Sequence, residues 1–179
     1  MSLKYEQIER FPQAHYKVNI GWDYLEDWLI QQSEKGGSGQ TLELDPDFQR
    51  AHVWTKEQQV RYCEYIIRGG EGSRILYWNH PNWMGSFKGA LTLVDGKQRL
   101  EAVRAFLRDE VIVFDNYRYS DMDRRTVVRC NLDFVVQIAS LKKRRDVLNW
   151  YLMINAGGTP HTVEELGRVR ALLAAEPTS

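Results

Sequence analysis

A chain of 179 residues with 43% apolar composition is long enough to bury one core and short for two, so residues 1–179 are expected to form a single domain. Its 24 basic and 24 acidic residues cancel, which excludes a global field that draws the protein onto nucleic acid and leaves any such contact to a local patch. Cys63 and Cys130 lack zinc-site spacing and are expected as reduced, buried thiols, while the lack of a signal-peptide core or membrane-length apolar run predicts a cytoplasmic protein off the membrane.

From the N-terminus, Leu25, Trp28 and Leu29 recur at helical spacing over Asp23–Gln32, with Asp23, Glu26 and Asp27 in the first turn. The glycine-rich residues 33–40 read as a flexible loop. A short strand with Leu42 and Leu44 then runs into Asp45-Pro46-Asp47. Thr55, with Gln58 three residues on, has the spacing of a capping box and opens a helix whose buried face is predicted to carry Val60, Cys63 and Ile67. Strands are predicted over Arg74–Trp78 and Ala90–Val94, joined by a loop from Asn79 to Gly89.

From Gln98, Leu100, Val103, Phe106 and Leu107 follow the helical period. A further strand is predicted over Val111–Phe114 and a short helix over Ser120–Val128. Leu132, Phe134, Val136 and Ile138 alternate with Asp133 and Gln137 as in a half-buried strand. Two helices close the chain, Lys142–Ile154 with Val147, Leu148, Tyr151 and Leu152, and Thr162–Ala174 with a Thr162–Glu165 capping box and Leu166, Val169 and Leu173.

The segment Val94-Asp95-Gly96-Lys97-Gln98-Arg99 places a carboxylate at a strand end, a glycine at the turn and two cations at a helix start. Helix N-terminal amides beside Lys97 and Arg99 suit an anion, most simply a phosphate. Asp95 then suits Mg2+ or an oriented water, and Arg99 the charge of a transferred group, which makes these two the candidate catalytic residues. Spacing alone fits equally an Asp95 that caps the helix, answered by Gln98, with Arg99 in solvent.

Two further segments accompany this one: Pro46-x-Phe48-Gln49-Arg50-x-x-Val53-Trp54, and Asn155-x-Gly157-Gly158-Thr159-Pro160. In this order the three resemble the N-terminal domain of GmrSD-type modification-dependent restriction enzymes, within the ParB/sulfiredoxin-like superfamily, over residues 16–173. The resemblance implies an α+β, ParB/sulfiredoxin-like domain, a small mixed sheet with surrounding helices, that binds and in several members hydrolyses a nucleoside triphosphate with Mg2+ in DNA restriction and phage defence. It assigns Gly96, Lys97 and Gln98 to the phosphate loop, with Lys97 where the family has glutamine, and brings Gln49, Arg50, Asn155, Gly158 and Thr159 to the same pocket.

Without the resemblance, Phe48 and Trp54 read as core anchors, Arg50 as a partner of Asp45 or Asp47, and Asn155–Pro160 as an ordinary helix end. Lys142–Arg145 is a dense basic run, either solvated or set against a phosphate backbone, and Tyr77, Trp78 and Trp83 either stack a base or are buried. Enzymes of this kind carry a separate histidine-asparagine-histidine nuclease domain. His15, His52, His80 and His161 lack the paired spacing of such a centre, so DNA cleavage is not expected of this stretch. Two readings stay open: a nucleoside triphosphatase, or a non-catalytic module that binds DNA or a nuclease partner and keeps the pocket as a sensor.

Overall fold

The computed structural model describes residue 4 and residues 11–34, 40–49, 54–155 and 163–177. These build a five-stranded mixed sheet in the order β1-β5-β3-β4-β2, an α+β fold as predicted. The strands are β1 (Tyr16–Gly21), β2 (Gln40–Glu43), β3 (Ile75–Asn79), β4 (Gly89–Asp95) and β5 (Asp133–Ala139). The helices are α1 (Leu25–Glu34), α2 (Lys56–Ile67), α3 (Lys97–Leu107), α4 (Arg124–Arg129), α5 (Arg144–Asn155) and α6 (Val163–Ala175).

Helices pack on both faces of the sheet. On one face Leu25 and Trp28 of α1, Cys63 and Ile66 of α2, and Leu100, Val103 and Phe106 of α3 join Leu76, Trp78, Leu91, Leu93 and Phe134 in one core. On the other, Val94 and Ala139 meet Val147, Leu148 and Tyr151 of α5, Val169 of α6 and the ring of Phe48. Strand β4 serves both cores by alternation, Leu91 and Leu93 on one face and Val94 on the other, and its register against β3 shifts: Trp78 faces Leu93 and Tyr77 faces Asp95, which leaves Val94 between them without a partner on β3. Such an extra residue re-aims the next side chain along the strand, here the carboxylate of Asp95.

Most predicted elements form, with shifted ends. The Thr55–Gln58 capping box is present at α2, whose buried face is Gln59, Tyr62, Cys63 and Ile66; Val60 and Ile67 flank it, half-buried. Ser33 and Glu34 belong to α1, where the Ser33 hydroxyl donates to the Ile30 carbonyl at 2.7 Å, and Gln40 opens β2, so the predicted loop narrows to 35–39, which lie outside the described residues. Leu44 falls after β2, and Lys142 and Lys143 precede α5. Thr162 of the second predicted capping box lies outside the described residues.

Three expectations are corrected. Val111–Phe114 is a tight turn holding only a bridge from Val113 to Tyr117, because Phe114 and Asp115 take positive φ, 50° and 64°, that no strand accommodates. Ser120–Val128 divides into a 3-10 turn (Tyr119–Asp121) and α4, whose start is capped by the Asp123 side chain accepting from the Thr126 N–H at 2.7 Å. Cys63 is wholly buried and its thiol is pushed up to about 12 by desolvation, but Cys130 is only half-buried.

Strand β1 is an element not predicted, although Val18 and Ile20 alternate with Lys17 and Asn19. It pairs antiparallel with β5 and leaves that strand interior to the sheet. Asp133 is consequently buried, not on a solvent face; Arg74 neutralises it at 2.6 Å and the Asn19 amide donates to it at 2.7 Å. Arg74 also donates to the Gly70 carbonyl at 2.8 Å, which pins the residues just before β3.

Candidate functional site

The turn from β4 into α3 works only with glycine. Gly96 has φ 109°, and a Cβ there would lie 2.5 Å from Leu76 Cδ2 and 3.2 Å from Arg99 Nη2. Gly96 is itself the N-cap and carries no side chain to cap with, so the reading in which Asp95 caps α3 does not hold. Asp95 accepts instead from Arg99 Nη2 at 2.7 Å, and the same nitrogen donates to the Ile75 carbonyl at 2.9 Å. Arg99 is thus not in solvent; its Nε is buried and has no hydrogen-bond partner among the described residues.

The side-chain oxygen of Gln98 accepts from the Trp54 N–H at 3.1 Å, joining the α3 start to the segment before α2. Lys97 reaches across to the carboxylate of Asp45, a largely exposed partner.

These residues form one wall of a cavity of about 330 Å3. Gln49, Asn155, Gly96, Lys97, Gln98, Arg99 and Asp95 all line it, so segments far apart in sequence meet here. Gln49 is nearly buried, its amide donating to the Leu93 carbonyl of β4 at 2.5 Å. Asn155, the last residue of α5, spends its amide on the Tyr151 carbonyl of its own helix at 2.7 Å. Arg50, Gly158 and Thr159 lie outside the described residues.

Sequence reasoning missed several lining groups. Gly72 and Ser73 supply the wall nearest Ile75, and Tyr62 steadies them by donating its hydroxyl to the Ser73 carbonyl at 2.9 Å. Burial raises the Tyr62 phenol far above its ordinary pKa, so it stays a donor. The run Gly69-Gly70-Glu71-Gly72-Ser73 was the available signal: three glycines so close precede a strand where the backbone must approach something closely. Trp54, Tyr77 and Tyr151 give the cavity aromatic surface; Tyr151 packs on Phe48 at 5.3 Å and Tyr77 on Trp150 at 5.7 Å.

Of the other aromatic candidates, Trp78 is wholly buried and cannot stack a base, and Trp83 packs on Tyr16 and Phe87 at 5.3 Å each. The basic run before and into α5 is partly engaged within the chain. Arg144 pairs with Asp47 at 2.8 Å and Glu176 at 3.1 Å, and Arg145 donates to the Glu176 carbonyl at 3.2 Å. Asp45 and Asp47, the partners considered for Arg50, are therefore held by Lys97 and Arg144.

The family model for the N-terminal domain of GmrSD restriction endonuclease matches residues 26–171, a span that contains every segment of the cavity. The chain belongs to the GmrSD N-terminal domain family. No curated protein and no solved structure matches it. Membership ties this GmrSD N-terminal domain to restriction and phage defence. Among the described residues no helix is long and apolar enough to cross a membrane, and no cluster of three or more histidine, cysteine or acidic side chains is arranged to hold a metal.

Proposed function

We propose that this single, ParB/sulfiredoxin-like domain binds a nucleoside triphosphate in the cavity, in the cytoplasm, as part of DNA restriction. The observation that carries the reading is that Lys97 and Arg99, in the first turn of α3 beside its side-chain-free N-cap, line the same cavity as the rings of Trp54, Tyr77 and Tyr151. Helix-end amides and two cations suit phosphates, while Trp54, Tyr77 and Tyr151 suit the flat, apolar faces of a base. At about 330 Å3 the cavity is at the small end of ligand sites, which fits a mononucleotide whose far end reaches the open mouth.

In this reading Gly96 lets the phosphates approach the backbone, Gln98 holds Trp54 as a wall, and Gln49 and Asn155 contribute polar edges. Arg50, Gly158 and Thr159 complete the ligand set from their own segments. Asp95 is the sole carboxylate in the described lining. One carboxylate is what Mg2+ requires when it is held mainly by waters and the nucleotide's phosphates, so the residues fit a metal that arrives with its nucleotide and not a resident ion. Hydrolysis adds two roles within the same contact: Asp95 orients the attacking water as Arg99 turns from the carboxylate to the phosphoryl group.

The alternative is a sensor without turnover, which binds DNA or a nuclease partner according to ligand state. In its favour, both cavity cations are matched by carboxylates, Asp95 for Arg99 and Asp45 for Lys97, so charge is balanced before any ligand enters.

Thermal melts with ATP, GTP, CTP and UTP, with and without Mg2+, test the proposal. A nucleotide at 100 times its Kd stabilises by about 2.7 kcal/mol, a rise in Tm of about 5–10 °C for a chain of this size. Arg99→Ala is expected to weaken that nucleotide at least tenfold. No shift with any of the four overturns nucleotide binding; a shift without multiple-turnover phosphate release selects the sensor.

A further inference from the structure

Among the described residues none of helix α6 lines the cavity, yet one of its side chains reaches the cavity wall. Arg168 Nη2 donates to the backbone carbonyl of Gln49 at 2.7 Å. Gln49 is the residue that joins that wall to β4, through its amide on Leu93, and its own N–H bonds the Pro46 carbonyl at 3.0 Å. Beside this bond Val169, nearly wholly buried, sits in the same core as Phe48, the neighbour of Gln49. A helix late in the chain thus holds the backbone of the segment that forms the wall and shares a core with that segment's adjoining ring.

We propose that Arg168 is a positioning residue for the cavity: by fixing the Gln49 carbonyl it holds the Gln49 side chain on β4, and so couples the docking of α6 to ligand affinity. The physical case is one of preorganisation. Residues 45–49 form no strand or helix beyond β2, so their placement rests on side-chain ties, and a guanidinium donating to a carbonyl is the stronger, charge-assisted kind. Without it the segment samples other positions, and a ligand must restore the wall at the cost of its own affinity.

The inference that affinity depends on this tie rests on the nucleotide reading above; the tie itself does not, and the two are tested separately. In the full chain without ligand, hydrogen exchange of Arg168→Ala is expected to quicken at the Gln49 amide and its neighbours while α2 and α3 keep wild-type protection. Unchanged exchange at Gln49 overturns the inference, whatever the nucleotide results.

With the nucleotide that shifts the wild type, Arg168→Ala is expected to raise Kd about fivefold or more, and Arg168→Lys, which can still donate to the carbonyl, to recover most of that loss. Arg170→Ala on the same helix is expected to leave Kd unchanged. In a Gln49→Ala background the Arg168→Ala effect on Kd should largely vanish, because the side chain being positioned is gone. Equal losses in both backgrounds overturn the coupling through Gln49. If the wild type binds no nucleotide, the functional reading fails and the exchange result alone decides whether Arg168 positions Gln49.

Discussion

Replacing Gly96 by alanine separates backbone strain from steric exclusion, because Gly69 provides a matched control. Both glycines have positive φ, 109° at Gly96 and 89° at Gly69, but a Cβ at Gly69 meets nothing within 4 Å. Forcing an L-residue into this region costs about 1–2 kcal/mol, which is all that Gly69→Ala should lose. At Gly96 the new methyl would lie 2.5 Å from Leu76 Cδ2, and Leu76 is wholly buried, so it cannot yield into solvent. Overpacking of that kind adds about 1–3 kcal/mol. Gly96→Ala should therefore lose about 2–5 kcal/mol, a fall in Tm of roughly 7–14 °C at the middle of the range. Urea unfolding followed by tryptophan fluorescence measures both variants, and Leu76→Ala/Gly96→Ala should lose less than the sum of its single changes, since the clash is relieved. If Gly96→Ala lies within about 0.5 kcal/mol of Gly69→Ala and the double variant is additive, steric exclusion at this turn is refuted.

Removing one partner of the buried Arg74–Asp133 pair should be far worse than removing both: Asp133→Ala is expected to cost about 3–5 kcal/mol by urea unfolding, and Arg74→Met/Asp133→Leu to recover much of it. A double variant no more stable than Asp133→Ala would mean that the ion pair is not what Arg74 depends on. His80 is wholly buried among Trp83 and Phe87, and desolvation lowers its pKa from the ordinary 6.5. The unfolded chain then binds the proton first, so stability is complete above about pH 6.5 and declines as the pH falls below it. Comparing urea melts at pH 7.5 and 5.5, the loss should be smaller in His80→Gln, which does not titrate; an equal loss would place the titrating group elsewhere.

Periodicity made the helices legible because each has one buried face, and Leu100, Val103 and Phe106 sit where the 3.6 period puts them. It failed where burial has another cause. Asp133 looks like a solvent-facing strand residue by alternation, but β1 covers its strand and Arg74 neutralises it, neither of which is a local property. Val111 and Val113 read as a strand and are indeed buried, but as the anchors of a turn. At the site, Asp95, Gly96 and Lys97 were legible as a motif. What they do with their side chains was not: the Gln98 bond to Trp54 and the Arg99 bond to Ile75 are long-range choices, and of the aromatic lining only Trp54 belongs to a motif, while Tyr77 and Tyr151 lie outside the three segments.

The ties on residues 45–49 also order the assembly of the site in time. Asp45 meets Lys97 at a separation of 52 residues, Asp47 meets Arg144 at 97, and the Gln49 carbonyl meets Arg168 at 119. Contacts of such separation form late, after the loops between them have closed. During synthesis the wall precursor leaves the ribosome well before its last anchor, so β4 and the start of α3 can be in place while the cavity is still missing a side. The wall is then finished by the arrival of α6, and a cavity of this construction reports that nearly the whole domain has folded.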